Sequence, residues 1–572
     1  MDDMVIRGGQ VVDGSGRSAY RADVGIADGR IATVGPIDDT GDATVIDADG
    51  LVVAPGFVDV HTHYDAQVFW DPTLSPSPLH GVTTVISGNC GFTIAPLSDD
   101  PDDGEYLMKM LARVEGMPLS SLEQGVPWNW TGFGEYLACF EGTLAINAGF
   151  KVGHSALRRV VMGAEATAGP ASPDQLEAMK DLLRESLDAG GLGFSSSWAR
   201  THNDADGNMV PSRHADPSEL IELCRVTGEY PGTSLEFLPM VGPFDDETFD
   251  LMADMSAAAQ RPLNWNLLSV NAGNIDGAFH QLEGGTRAAE RGGKVVGLTI
   301  PMDLGLRLSF LTGFVLDALP GWEEAMALPL EQKKALLADP TQRAHLDEQA
   351  QGDHPLRGIA HWSSKVLTEC FSDETKQYEG RSVGEIAAEL GKDPFDTLVD
   401  IALADDLLTA FSLPVREDTK EDWEARAKVW RDGRAVIGAS DAGAHLDLLG
   451  TFNYSTHVLS SAVRRFGVVE LEEAVHLITQ VPARLYGLID RGVLVEGAHA
   501  DIVVFDPDLV GPGPLSTRFD LPGGAGRIYG DADGIHHVLV NGTEIVRDGS
   551  FGDARPGTVL RAGQHTATPA MT

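Results

Sequence analysis

GFVDVHTHYD, residues 56–65, sets two histidines two positions apart behind an apolar run. Side chains at i and i+2 of a strand point the same way. His61 and His63 therefore share a face with Asp59, which makes either the two teeth of a metal clamp or a coincidence. An isolated H-x-H is more often a pair of polar loop residues, so the reading depends on what surrounds it. Seven further apolar runs follow: 81–90, 142–154, 190–197, 233–240, 262–270, 294–302 and 434–441. Helix-like stretches such as SPDQLEAMKDLLRESLDAG (172–190) and DDETFDLMADMSAAAQ (245–260) separate some of them. Eight near-continuous apolar strands alternating with helices predict an α/β chain, a (β/α)8 TIM-like barrel. The seventh and eighth runs lie too far apart for a loop. The spacing predicts a helical insertion between strands seven and eight, at about 303–433, that rises on the catalytic face.

The ends have another texture. Residues 4–52 and 492–552 read as short strands and turns. Each offers too little apolar face for a stable sheet alone. Together they predict one small β-sandwich built from both termini, with 1–54 and 491–572 flanking a barrel at 55–490, and a loosely held tail from 555.

Composition narrows the function. At 43% hydrophobic the chain is globular, and its net charge of −43 opposes binding to nucleic acid or anionic membranes. No apolar run is long enough to span a bilayer. Four scattered cysteines form no disulfide framework and suggest a reducing, cytoplasmic setting. A small-molecule substrate is the expected partner, and a homo-oligomer stays open.

Barrel active sites gather at the C-terminal strand ends. His61 and His63 end the first strand there, Cys90 in SGNCGF ends the second, and Asp441 in IGASDAGAH ends the eighth. A thiolate at Cys90 suits zinc, and an ionisable group at Asp441 is a ligand or proton carrier. His154 in KVGHSALR, after strand three, is a candidate to face substrate.

As a set, G-F-V-D-x-H-T-H, G-N-C-G, V-G-H-x-x-L-R and the strand-eight S-D resemble the amidohydrolase superfamily. More narrowly, they resemble its N-acyl-D-amino-acid deacylase group. The terminal segments GQVVDGSG, GRIATVG and RGVLVEGAHADIVVFDP are similar to the superfamily's split sandwich. The resemblance implies a zinc or other divalent metal site, with His61, His63 and Asp441 at one position and Cys90 at another. In the family two further histidines, from T-H-x-R after strand five and S-H-x-K after strand six, complete the second position. Here Glu236 and Asn266 stand in their places. A carboxylate can bind zinc, but a neutral amide is a poor ligand. One tightly bound ion per chain is therefore expected, with Glu236 as a further ligand or, with Asn266, facing substrate. No lysine ends strand four; Lys151, near strand three, is the one lysine close to a strand end.

The chemistry expected is hydrolysis of a linear amide, such as an N-acyl (D-)amino acid, by metal-activated water. Asp441 acts as general base and then acid, and His445 lies near enough to contact substrate. Two alternatives remain: a cyclic amide or imide hydrolase or deaminase of the same superfamily, and a catalytically lapsed barrel serving as a binding or assembly module.

Overall fold

A computed structural model of the chain describes residues 3–413 and 416–571. All eight apolar runs fall on strands of two parallel sheets. In the first, Phe57–Asp59, Val82–Ser87 and Asn147–Phe150 lie side by side. In the second, Val152–Gly153, Gly193–Ser197, Ser234–Leu238, Pro262–Leu268, Lys294–Thr299 and Ala435–Ile437 follow in chain order. Asn147–Phe150 and Val152–Gly153 are two halves of strand three and join the sheets. Strands eight and one meet beyond their regular ends. There Thr62 bridges Ala442, His63 N–H donates to Ala442 O at 2.7 Å, and Asp441 N–H donates to His61 O at 3.0 Å. The backbone link between the first and last strands is thus made by the segments that carry His61, His63 and Asp441.

The two ends of the chain pair directly. Val52–Pro55 runs antiparallel to Ile502–Phe505 inside one nine-stranded sheet that holds N-terminal strands on one side and C-terminal strands on the other. Ile6, Val24, Val53, Ile502 and Val504 share its apolar cluster. The tail is not loose. Val559–Leu560 adds a parallel strand beside Asn147–Phe150, and Thr566 Oγ1 donates to Gly232 O at 2.6 Å.

The insertion departs from its expected helical character. Arg307–Leu308, Ala410–Ser412 and Val366–Glu369 form a three-stranded antiparallel sheet inside it. Residues 308–329, which read as helical and amphipathic, contain as helix only the turn Leu316–Ala318 and the short helix Glu323–Ala327. Gly313 and Gly321 take left-handed φ of 69° and 77° there, and Pro320 lacks the N–H a helix needs. Helix Lys420–Trp430 forms as its sequence suggests, but it packs on strand eight, so the insertion ends before it. The insertion has an apolar core of its own, in which Trp322, Trp362 and Phe395 stack with centroids 4.9–5.8 Å apart. No helix among the described residues is long and apolar enough to cross a membrane.

Candidate active site

His61 and His63 lie just past the end of strand one, both buried. Their rings stand edge to face with centroids 5.2 Å apart. Asp441 faces both, its Oδ1 3.5 Å from His61 Nε2 and 3.1 Å from His63 Nε2. Cys90 Sγ lies 3.8 Å from His61 Nε2, and ligand atoms of His61, His63 and Cys90 all fall within 4.8 Å of one another. Around a tetrahedral zinc, bonds of about 2.0–2.3 Å put neighbouring ligand atoms roughly 3.3–3.8 Å apart. The His61–Asp441 and His61–Cys90 separations fall in that range, and the others lie near it. Cys90, Asp441 and His445 all hold left-handed φ, at 55°, 59° and 48°. For non-glycine residues that conformation costs about 1–3 kcal/mol and clusters at functional sites.

The strand-two loop is fixed by short polar links. Asn89 Nδ2 donates to Thr62 O at 2.9 Å and to Ile86 O at 3.0 Å, and Gly91 N–H donates to Ser195 Oγ at 3.0 Å. Cys90 N–H donates to Glu236 Oε2 at 2.8 Å, and Asn266 Nδ2 reaches Cys90 Sγ at 3.6 Å. Glu236 and Asn266 therefore do converge on Cys90 from strands five and six. Glu236 Oε1, Asn266 Oδ1, His61 Nδ1 and His63 Nδ1 are buried without a hydrogen-bond partner. A constellation with so many unsatisfied donors and acceptors suits a bound ion and substrate.

Charge is concentrated here. Burial lowers His61 to about 4, so its imidazole is neutral. Burial also acts to lower His63, but Glu115, Asp441 and Asp65 outweigh it and lift it to about 9. Asp441 is the converse: burial would raise it, yet His61 and His63 hold it well below the usual carboxylate range. Burial raises Glu236 to about 7, Asp65 to about 6 and Asp59 to about 7. Burial also pushes the Cys90 thiol well up, with Glu236, Glu115 and Asp441 adding to it.

Two further residues face this cluster. Glu115 caps the helix Pro101–Val114 and brings Oε1 within 3.4 Å of His63 Nδ1, outside hydrogen-bond geometry. His202 is half-buried, its ring 4.9 Å from that of Phe92, and is bonded through Nδ1 to Ser197 Oγ at 2.8 Å. Neither has a local sequence signal. His445 stands at the mouth, its Nε2 3.9 Å from Asp441 Oδ2 and its ring 5.1 Å from that of Phe314 in the insertion. Beside it, Gly116, Met117, Phe314, Asp317 and Met326 line a cavity of about 480 Å³. The insertion is thus one wall of the entrance. His154 does not join the site. Its Nδ1 pairs with Ser196 Oγ and its Nε2 with Glu219 Oε1, both at 2.8 Å, and Glu219 also takes Arg158. With both nitrogens used and no exposed surface, it has none left for substrate.

With this geometry in place, the class follows. Residues 44–514 match the Amidohydrolase family, and the chain belongs to it. Its fold is of the amidohydrolase barrel type, and as a member of that family it is an enzyme acting on carbon–nitrogen bonds. Among characterised relatives, the D-aminoacylase of Alcaligenes xylosoxydans xylosoxydans is 28% identical over 98% of this chain and 97% of its own. An uncharacterized protein of Mycobacterium tuberculosis is 31% identical over 98% of this chain and 96% of its own. The solved N-acyl-D-glutamate deacylase of Bordetella bronchiseptica, complexed with zinc and a phosphonate inhibitor, superposes with a TM-score of 0.64. It is 26% identical over 98% of this chain and 100% of its own. A solved D-aminoacylase with the same scores is described as having a binuclear metal centre with one-metal activation and second-metal attenuation.

Proposed function

We propose that this chain hydrolyses the linear amide of an N-acyl-D-amino acid, using one tightly bound divalent ion, zinc by the chemistry of its ligands. The observation that carries the reading is the cluster of His61, His63 and Cys90, whose ligand atoms lie within 4.8 Å of one another, with Asp441 against both histidines. When bound, such an ion supplies Lewis acidity, polarising a carbonyl and acidifying water. The protein's own groups do the rest. Asp441, 29% exposed where the histidines are closed off, takes the proton of the attacking water and returns it to the leaving nitrogen. His445, held below its ordinary pKa by burial, stands at the entrance and orients the acyl carbonyl. Glu236 and Asn266 turn polar atoms toward the scissile amide. Strand four ends in Ser195, Ser196 and Ser197, so no lysine stands where the superfamily's cyclic-amide hydrolases carry one, which favours a linear substrate. In domain terms, 55–490 is the catalytic barrel, the termini form one supporting sheet, and the insertion walls one side of the entrance. The four free cysteines fit a reducing cytoplasmic compartment. A panel of N-acetyl-D- and N-acetyl-L-amino acids tests the substrate class. Turnover of D but not L amides is expected; turnover of hydantoins or dihydropyrimidines alone would replace this reading with the cyclic one.

Metal affinity should depend steeply on pH. His63, protonated below about 9, must give up its proton to ligate, and the Cys90 thiol must do the same. Each released proton raises affinity about tenfold per pH unit. Calorimetric titration of the metal-free protein between pH 6 and 8 is expected to show a rise of at least about tenfold per unit. An affinity flat across that range would mean that neither group is a ligand.

Cys90→Ser isolates the thiol. It should weaken metal binding by more than roughly tenfold and release one proton fewer, since a hydroxyl is a far weaker zinc ligand than a thiolate. If Cys90 only packs, the change costs stability of about 1 kcal/mol and leaves metal content as it was.

A further inference from the structure

The entrance cavity continues past the mouth. Pro118, Thr312 and Asp447, which line it, also line a second cavity of about 400 Å³, so the two adjoin as one trough. At the junction Thr312 Oγ1 donates to Asp447 Oδ2 at 2.6 Å. The trough begins at His445. A Cβ added to Gly116 would meet His445 Nδ1 at 3.3 Å, and the Phe314 ring lies 5.1 Å from that of His445. It ends between the insertion, which supplies Leu330 and Phe371, and a hairpin of Ser516–Arg518 with Arg527–Tyr529, whose connecting segment supplies Phe519. These far walls are tied together. Glu369 of the insertion accepts from Thr517 N–H at 3.0 Å and from Thr517 Oγ1 at 2.7 Å, and the Phe371 and Phe519 rings meet edge to face at 5.9 Å. Walls fixed in this way form the trough before a ligand arrives, as ligand pockets usually are.

The charges on its walls are matched within the protein. Lys109, Arg113 and Arg307 pair with Glu105, Asp317 and Glu369. The walls therefore offer a substrate carboxylate no uncompensated cation, and placing one there would cost its hydration. They offer apolar surface instead. Leu119, Leu330 and Phe519, all lining the trough, are 37%, 38% and 49% exposed, and large apolar side chains left open in a row mark a ligand groove. The two ends of an N-acyl amino acid differ in what they can place here. The side chain is short and stands beside the carboxylate. The acyl group starts at the carbonyl that His445 orients, and it alone can be long enough to run on to Phe519. We infer that the trough receives the acyl chain, and that the preferred substrates are N-acyl-D-amino acids with a long aliphatic acyl group, hydrolysed to a fatty acid and a D-amino acid. This rests on the N-acyl-D-amino acid reading above.

The test is a chain-length series. Steady-state kinetics are measured on acetyl, butanoyl, octanoyl and dodecanoyl derivatives of D-alanine, below the concentrations at which the longer ones form micelles. From butanoyl to octanoyl, kcat/KM should rise about two- to fourfold per methylene, four being the value for full burial. Leu330→Glu combined with Phe519→Glu sets two carboxylates at the far end, on side chains already open to water. In that variant the ratio of kcat/KM for dodecanoyl over acetyl substrate should fall at least about tenfold. A flat or falling series on the unaltered protein, with the acetyl substrate hydrolysed, would overturn the inference and leave the substrate reading standing, whether or not the variant folds. A rise with length that the folded variant does not blunt would overturn it too. In a second series the acyl group stays acetyl and the side chain lengthens from D-alanine to D-norleucine. A gain that follows the side chain and not the acyl chain would put the amino acid in the trough and overturn the inference. No hydrolysis of any member would remove the substrate reading and the inference together.

Discussion

His61→Ala is expected to lose its metal and at least roughly a thousandfold in kcat/KM, the scale of losing one preorganised electrostatic contact or more, while the barrel stays folded. The ring is neutral, so its removal breaks no ion pair. The strands are held by main-chain pairing and by the apolar side chains Val58, Val60, Ile86 and Leu298 rather than by the ion. His63→Ala should match it in activity but not in stability. His63 lies between Asp441 at 3.1 Å and Glu115 at 3.4 Å; His63 and Glu115 are buried, and Asp441 is partly exposed. Removing it leaves a buried and a partly exposed carboxyl without their cation, a loss of about 3 kcal/mol, at the low end for a broken buried pair. The folded pKa of His63 lies above its unfolded value, so its stabilisation is full below pH 6.5 and disappears as pH rises through about 9. Thermal melts of the metal-free proteins at pH 6 and pH 9 should therefore show a gap between wild type and His63→Ala that shrinks at the higher pH. Full activity in both histidine variants would remove the clamp altogether.

Asp441→Asn should be the most damaging conservative change. An amide can neither take the proton of water nor return it to nitrogen, and general acid–base roles of this kind contribute about 10²–10⁴ in rate. Ligand loss adds to that. The two effects can be separated by adding metal. Excess zinc should partly restore His61→Ala, where the proton carrier survives, but should leave kcat of Asp441→Asn about 10²–10⁴ below wild type. Restoration of Asp441→Asn to near wild-type kcat by metal alone would reassign the proton transfer to another group, with His445, 3.9 Å away, first in line.

How much of this was legible in the sequence follows from which interactions are local. His61 and His63 could be read because the two-residue period of a strand fixes their common face, and the segment just past strand one keeps that sense. Asp441 and Cys90 could be read because each closes an apolar run that becomes a parallel strand. Glu236 and Asn266 were placed by comparison with the family pattern, and the fold does bring both to Cys90. Glu115 could not be read. It arrives from the far end of the helix Pro101–Val114, and nothing around it differs from an ordinary helix terminus. Lys151 was visible as a lone lysine near a strand end, but its partners, Asn89 upstream and Tyr486 far downstream, could not be read with it. His154 misled because V-G-H follows a strand, yet the residue opens the helix His154–Met162 and its ring turns to Glu219. The insertion misled through its apolar spacing, which glycine and proline override at 313, 320 and 321.

The most direct measurement is the metal content of protein purified without added metal, read together with hydrolysis of N-acetyl-D-amino acids before and after chelation. The expected result is close to one zinc per chain, activity lost on its removal, and activity regained when one equivalent returns. Full hydrolysis by protein stripped of all metal would contradict the role given to His61, His63 and Asp441.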